Sequence, residues 1–205
     1  HKNELQVWAS MKEGITYIYR TKEILGALCL DMFAVLFGGA VAMIPVFASD
    51  ILKVGADGFG LLNAASDIGS MMIIVTLSFI PLRKNQGKIL IGVVAGFGLC
   101  IIGFGLSKLY WLSFLFLMLS GIFDGISVVI RGTIVQLKTP DHIRGRVMSA
   151  NSIFIMSSNE MGQFESGVAA KLLGVVRSVV FGGTMTVLIA LFVGKFVPKL
   201  RKMEY

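Results

Sequence analysis

The chain has 205 residues, 55% of them hydrophobic and only 15% charged, with a mean hydropathy of +0.80. An ordinary soluble domain carries charge on about a quarter of its residues, so this composition excludes one and leaves most elements facing lipid or one another. The net charge of +7 suggests nucleic acid as a partner, but the basic residues cluster at the ends of apolar stretches, which is a topology signal instead.

A hydrocarbon core of about 30 Å needs about 20 apolar residues per helix. Residues 1–22 are polar and precede the first such stretch; Leu5, Trp8, Ile15 and Ile18 fall near helical spacing. That pattern predicts a cytoplasmic linker carrying an amphipathic helix that lies on the membrane surface. A disordered linker is its alternative. Apolar stretches follow at 24–48, 58–82, 89–107, 110–131, 147–170 and 175–197. They predict an all-α membrane protein with a six-helix transmembrane bundle over 23–198 and a short tail over 199–205. Pro45, Pro81, Pro140 and Pro198 lie near the ends of these stretches, where a lost helical hydrogen bond costs least. Glycines lie inside them: Gly92 and Gly96, Gly121 and Gly125, and the doublets Gly38-Gly39 and Gly182-Gly183. Such small residues let helix backbones approach closely; tight packing is one reading of them, a hinge or a dimer face the other.

Lys2, Lys12, Arg20 and Lys22 precede the first stretch, Arg83, Lys84 and Lys88 join the second to the third, Lys138, Arg144 and Arg146 join the fourth to the fifth, and Lys195, Lys199, Arg201 and Lys202 end the chain. The opposite ends carry Lys53, Lys108, Lys171 and Arg177. By the positive-inside rule both termini, the 2–3 loop and the 4–5 loop are cytoplasmic. Cys29 and Cys100 sit within apolar stretches without ligand spacing and read as small core residues.

Ionisable groups inside the stretches carry the functional information, because a charge in a membrane is costly unless paired or hydrated. Asp31 lies about 10 Å in from the cytoplasmic end of the first helix, at 1.5 Å per residue. Asp67 is about 15 Å deep in the second, near the midplane, and Glu160 about 20 Å into the fifth. Asn159 and Gln163 lie one turn apart beside Glu160, with Glu165 nearer the outer surface, so the fifth helix is too polar to face lipid. Asp124 and Arg131 are two turns apart on one face of the fourth; they read as a cytoplasmic charge cluster with Arg144 or Arg146, or as a structural ion pair that fixes packing.

Soluble-enzyme signatures are absent from the sequence: there is no GxSxG, HExxH or GxxxxGK[ST], and Gly96-Phe97-Gly98 lacks the strand that a dinucleotide loop needs. With His1 and His142 as its only histidines, the chain offers no histidine metal cluster. The sequence predicts neither an enzyme nor a resident cofactor.

Residues 123–147, FDGISVVIRGTIVQLKTPDHIRGRV, and 148–167, MSANSIFIMSSNEMGQFESG, closely resemble the fourth and fifth helices of the C-terminal half of major facilitator superfamily exporters of the enterobactin-exporter-like branch. The stretch LDMFAVLFGGAVAMIPVFASDIL (30–52) is similar to their seventh helix. The resemblance covers nearly the whole chain and implies one six-helix half of a twelve-helix transporter. On it, Asp31, Asp124, Arg131, Gln136, Pro140, Asp141, Arg144, Gly145, Arg146, Asn159, Glu160, Gly162, Glu165 and Gly167 stand where the family usually has the same residue types. Residues 83–88, RKNQGK, look like a degenerate copy of the basic 2–3 loop motif without its acidic residue, and Asp67 is a second departure, near a position where the family tends to have an uncharged residue, often proline.

Residues and resemblance together predict a secondary active transporter of a bacterial inner membrane, exporting a siderophore or drug-like small molecule in exchange for protons by alternating access. Asp67, Asn159, Glu160 and Gln163 are the expected proton and substrate pathway. Asp31, Asp124, Arg131, Arg144 and Arg146 are the expected cytoplasmic gate. The expected partners are the substrate, protons, membrane lipids and a missing N-terminal six-helix half, which two copies pairing through their open faces would imitate. Residues 1–22 look like the end of a central cytoplasmic loop, so the chain reads as one piece of a longer protein. A lipid-handling transporter and a non-transporting scaffold are the competing readings.

Overall fold

The structure is a computed structural model and describes residues 2–80, 82 and 84–196, without the side chains of 2–9 and 40. Arg83, Pro81 and the tail from 197, with Pro198, Lys199, Arg201 and Lys202, lie outside the described residues, as do the side chains of Leu5 and Trp8.

Seven long helices make up the described chain, and there is no strand among the described residues: α1 (Lys2–Arg20), α2 (Lys22–Phe37), α3 (Ala56–Phe79), α4 (Gln86–Leu106), α5 (Tyr110–Lys138), α6 (Arg144–Leu173) and α7 (Val175–Phe196). Five segments are long and apolar enough to cross a membrane: Lys22–Ile51, Ala56–Phe79, Gln86–Leu106, Tyr110–Lys138 and Val175–Phe196. The protein is therefore an all-α, multi-pass membrane protein. The fifth expected span is the exception. With 30 residues, α6 is about 45 Å long, ample for a bilayer, but Arg144, Arg146, Glu160, Glu165 and Lys171 interrupt its apolar residues.

Two boundaries differ from the sequence reading, for identifiable reasons. The first span is not one helix. α2 stops at Phe37, and the chain continues through a 3₁₀ turn (Ala40–Met43), a single α turn (Ile44–Val46) and a π turn (Phe47–Ile51). Gly38 and Gly39 are poor helix formers, and Pro45 both lacks an N–H and crowds the carbonyl four residues before it. The fourth span, in contrast, runs on past Arg131 to Lys138. It ends where Pro140 disfavours helical backbone at Thr139, which is extended at φ −103° and ψ 123°. α6 passes into α7 through Gly174 alone, whose φ of 87° is the left-handed conformation that glycine adopts without a Cβ clash.

α3 packs along α5, α5 along α4, and α4 along α7, while α2 lies between α6 and α7 and α1 lies across α6. Glycines mark the close approaches. A Cβ on Gly69 or Gly121 would meet the backbone of Met118 or Ser66 across the α3–α5 crossing, and one on Gly183 would lie 2.8 Å from the carbonyl of Gly98 between α4 and α7. Gly92 faces open space, so its pair with Gly96 is not a two-residue packing motif in this bundle. At one end of the bundle Ile18, Ile24, Leu30, Leu90, Ile130, Ile134 and Val147 form an apolar core; at the other, Phe47 stacks on Phe104 with ring centroids 4.5 Å apart, among Leu62, Leu117 and Val179. The apolar face of α1 that is described, Ile15 and Ile18, is spent on the first of these cores.

Candidate functional site

The first and fourth spans each bring a charge to the same buried point. Asp31 on α2 and Arg131 on α5 are both buried and paired directly, Arg131 Nη1 to Asp31 Oδ2. On α5, Asp124, Ser127 and Arg131 share one face because they are spaced by three, four and seven residues. Arg131 Nε accordingly donates to the Ser127 carbonyl at 3.3 Å and to its hydroxyl at 3.2 Å, which satisfies the side of the guanidinium turned away from Asp31. Asp124 is the looser partner. Its Oδ1 lies 3.9 Å from Arg131 Nη2 and its side chain is 43% exposed. A buried charge pair returns its desolvation cost only when geometry and the remaining hydrogen bonds are good. Asp31, Ser127 and Arg131 meet that condition, and Asp124 is left with most of its capacity unspent.

What Asp124 faces is a cavity of about 300 Å³, lined by Asp31, Val35, Asp124, Val128, Arg131, Gly132, Asn151, Ile155 and Asn159. It lies between α2, α5 and α6. Asn151 Oδ1 is buried and makes no hydrogen bond among the described residues. Asn151, Ile155 and Asn159 reach the cavity together because they are spaced by four on α6.

Of the expected pathway residues, the structure brings only Asn159 to this cavity. Glu160 and Gln163 lie on the exposed side of α6, with Met156, Met161 and Phe164, the last 75% exposed. Asp67 is exposed on α3 beside Ile68 and Met71. Among the expected gate residues, Asp31, Asp124 and Arg131 meet, but Arg144 and Arg146 do not join them. Arg144 Nη2 instead pairs with Asp141 at 2.5 Å, and Arg146 pairs with Glu13 on α1. The reason is the extra length of α5: its last seven residues set Arg131 about 10 Å inside the helix end, whereas both other arginines sit in the first turn of α6. Ser127, Asn151 and Glu13 were not singled out from the sequence. The eight-residue spacing from Asn159, close to two helical turns, was available as a signal for Asn151; nothing local marks Glu13, since its partner is 133 residues away.

A family profile described as "transmembrane secretion effector", within the major facilitator superfamily, matches residues 3–205. The chain belongs to that family. A search of curated proteins returns no match. Family membership makes this chain transporter machinery.

Proposed function

We propose that the protein is a proton-coupled exporter of a small, siderophore- or drug-like molecule, working by alternating access in a bacterial inner membrane with both termini cytoplasmic. Three features support this reading. The family is one of secretion transporters; fourteen of the nineteen Lys and Arg residues fall at the ends assigned to the cytoplasm; and α6, too polar for lipid, carries at Glu160, on its open side, a carboxylate without an ion pair among the described residues. On this reading α6 is the fifth of six spans, and its open side is covered by a second six-helix bundle, from the same longer protein or from a second copy. Glu160 with Asn159 and Gln163, and Asp67 on α3, then meet protons and substrate between the two bundles.

The observation that carries the proposal is the unequal partnership of Arg131. Asp31 holds the guanidinium in place, while Asp124, at 3.9 Å and open to the 300 Å³ cavity, is free to exchange that contact for a proton or a solute group. Such an exchange alters the charge between α2 and α5, the two helices whose relative position defines the cluster. Reconstitution in proteoliposomes with an imposed pH gradient tests it. Efflux of a transported dye should fall to the leak rate when the gradient is collapsed, and flux that persists would contradict proton coupling and favour a lipid-handling or facilitative role.

A further inference from the structure

The charge cluster uses one part of the molecule; a second basic site lies outside it, at the end of the bundle where the first span begins. α1 crosses the start of α6 so closely that a Cβ on Gly14 would lie 2.5 Å from the Arg146 carbonyl. Tyr17 donates its hydroxyl to the Lys138 carbonyl. Between α1 and the 139–143 turn this leaves a groove of about 630 Å³. Lys12, Thr16 and Arg20, spaced by four, form its α1 wall and His142 stands on the other side.

Charge accounting in the groove is one-sided. Its carboxylate, Glu13, is engaged by Arg146, and the neighbouring Asp141 by Arg144. Lys12 and Arg20 are exposed and make no ion pair among the described residues. The floor is apolar, with Ile143 buried and Tyr17 half-buried. The position is equally specific: Arg20 is two residues before Lys22, where one candidate span opens, and Pro140 two after Lys138, where another closes. Two uncompensated cations over an apolar floor, at the level where a span enters the bilayer, match the phosphate and glycerol of a lipid headgroup better than a freely dissolved ion, which has no use for the floor.

We propose that this groove binds the phosphate headgroup of an anionic phospholipid, with Lys12 and Arg20 as its charged contacts and His142 opposite them. The inference rests on membrane insertion and not on proton coupling, so failure of one leaves the other standing. Binding of a fluorescent phosphatidylglycerol to the purified protein in neutral detergent tests it, with phosphatidylcholine as the reference lipid. Wild type should prefer phosphatidylglycerol; Lys12→Gln with Arg20→Gln should weaken that binding by about tenfold or more, and Lys12→Arg with Arg20→Lys should retain it. The comparison pair Lys108→Gln with Lys171→Gln, exposed cations at the other end of the bundle, should leave it unchanged. Binding unaffected by the first pair, or weakened as much by the comparison pair, would overturn the site. Displacement of the lipid by millimolar inorganic phosphate would overturn the lipid assignment in favour of a soluble anion.

Discussion

The two polar regions of this bundle carry the same kinds of side chain and solve opposite problems. At the α2–α5 contact, Asp31, Arg131 and Ser127 satisfy one another within the chain, so the charges are a closed structural unit. Along α6, Glu160 and Gln163 are exposed and Glu160 has no ion pair among the described residues. On the proposed reading, a second bundle faces that region. Asp124 stands between the two, tied to the closed unit at 3.9 Å yet open to the cavity. The difference teaches that burial and partnership go together here: the buried charges at the α2–α5 contact are paired within the chain, and the proposed function draws on those that are exposed.

The contrast makes graded predictions for stability in detergent, read by thermal unfolding. Arg131→Leu should have the largest effect, about 3–5 kcal/mol, because it leaves the buried Asp31 without its counter-charge. Replacing both, with Asp31→Leu added, should recover much of that loss; additive losses would show that the two charges are not one unit. Gly162→Ala should cost about 1–3 kcal/mol, since the new Cβ would lie 2.6 Å from the Val35 carbonyl and would separate α6 from α2. Arg144→Ala removes a pair between side chains 46% and 87% exposed and should cost about 0–1 kcal/mol; a loss as large as that of Arg131→Leu would mean that Arg144 belongs to the buried cluster after all. Glu160→Gln should change stability least, within about 0.5 kcal/mol, while abolishing the response of flux to a pH gradient. Full coupling in that variant would remove Glu160 from the pathway.

Much of this contrast is legible in the sequence, and the remainder fails for physical reasons. The apolar stretches placed the helices because a bilayer imposes a minimum length, and intramembrane charge alone singled out Asp31, Asp124 and Arg131. Partner choice was not legible. Whether Arg131 met Arg144's neighbourhood or Asp31's depended on how far α5 continued past the apolar run, and hydropathy does not register GTIVQLK as helix even though its helix stops only before Pro140. The break after Phe37 was present as Gly38-Gly39 and Pro45, but the apolar run through them masks it. Glu13 shows the general limit: a contact across 133 residues leaves no local trace.

The most direct test of the account is gradient-driven flux in proteoliposomes, normalised to folded protein, for wild type against Asp124→Asn. The variant keeps the side-chain volume and the Asp31 to Arg131 pair, so it should unfold at nearly the wild-type temperature yet lose gradient-driven flux. Wild-type flux from Asp124→Asn would contradict the claim that the looser partner of Arg131 is the working one.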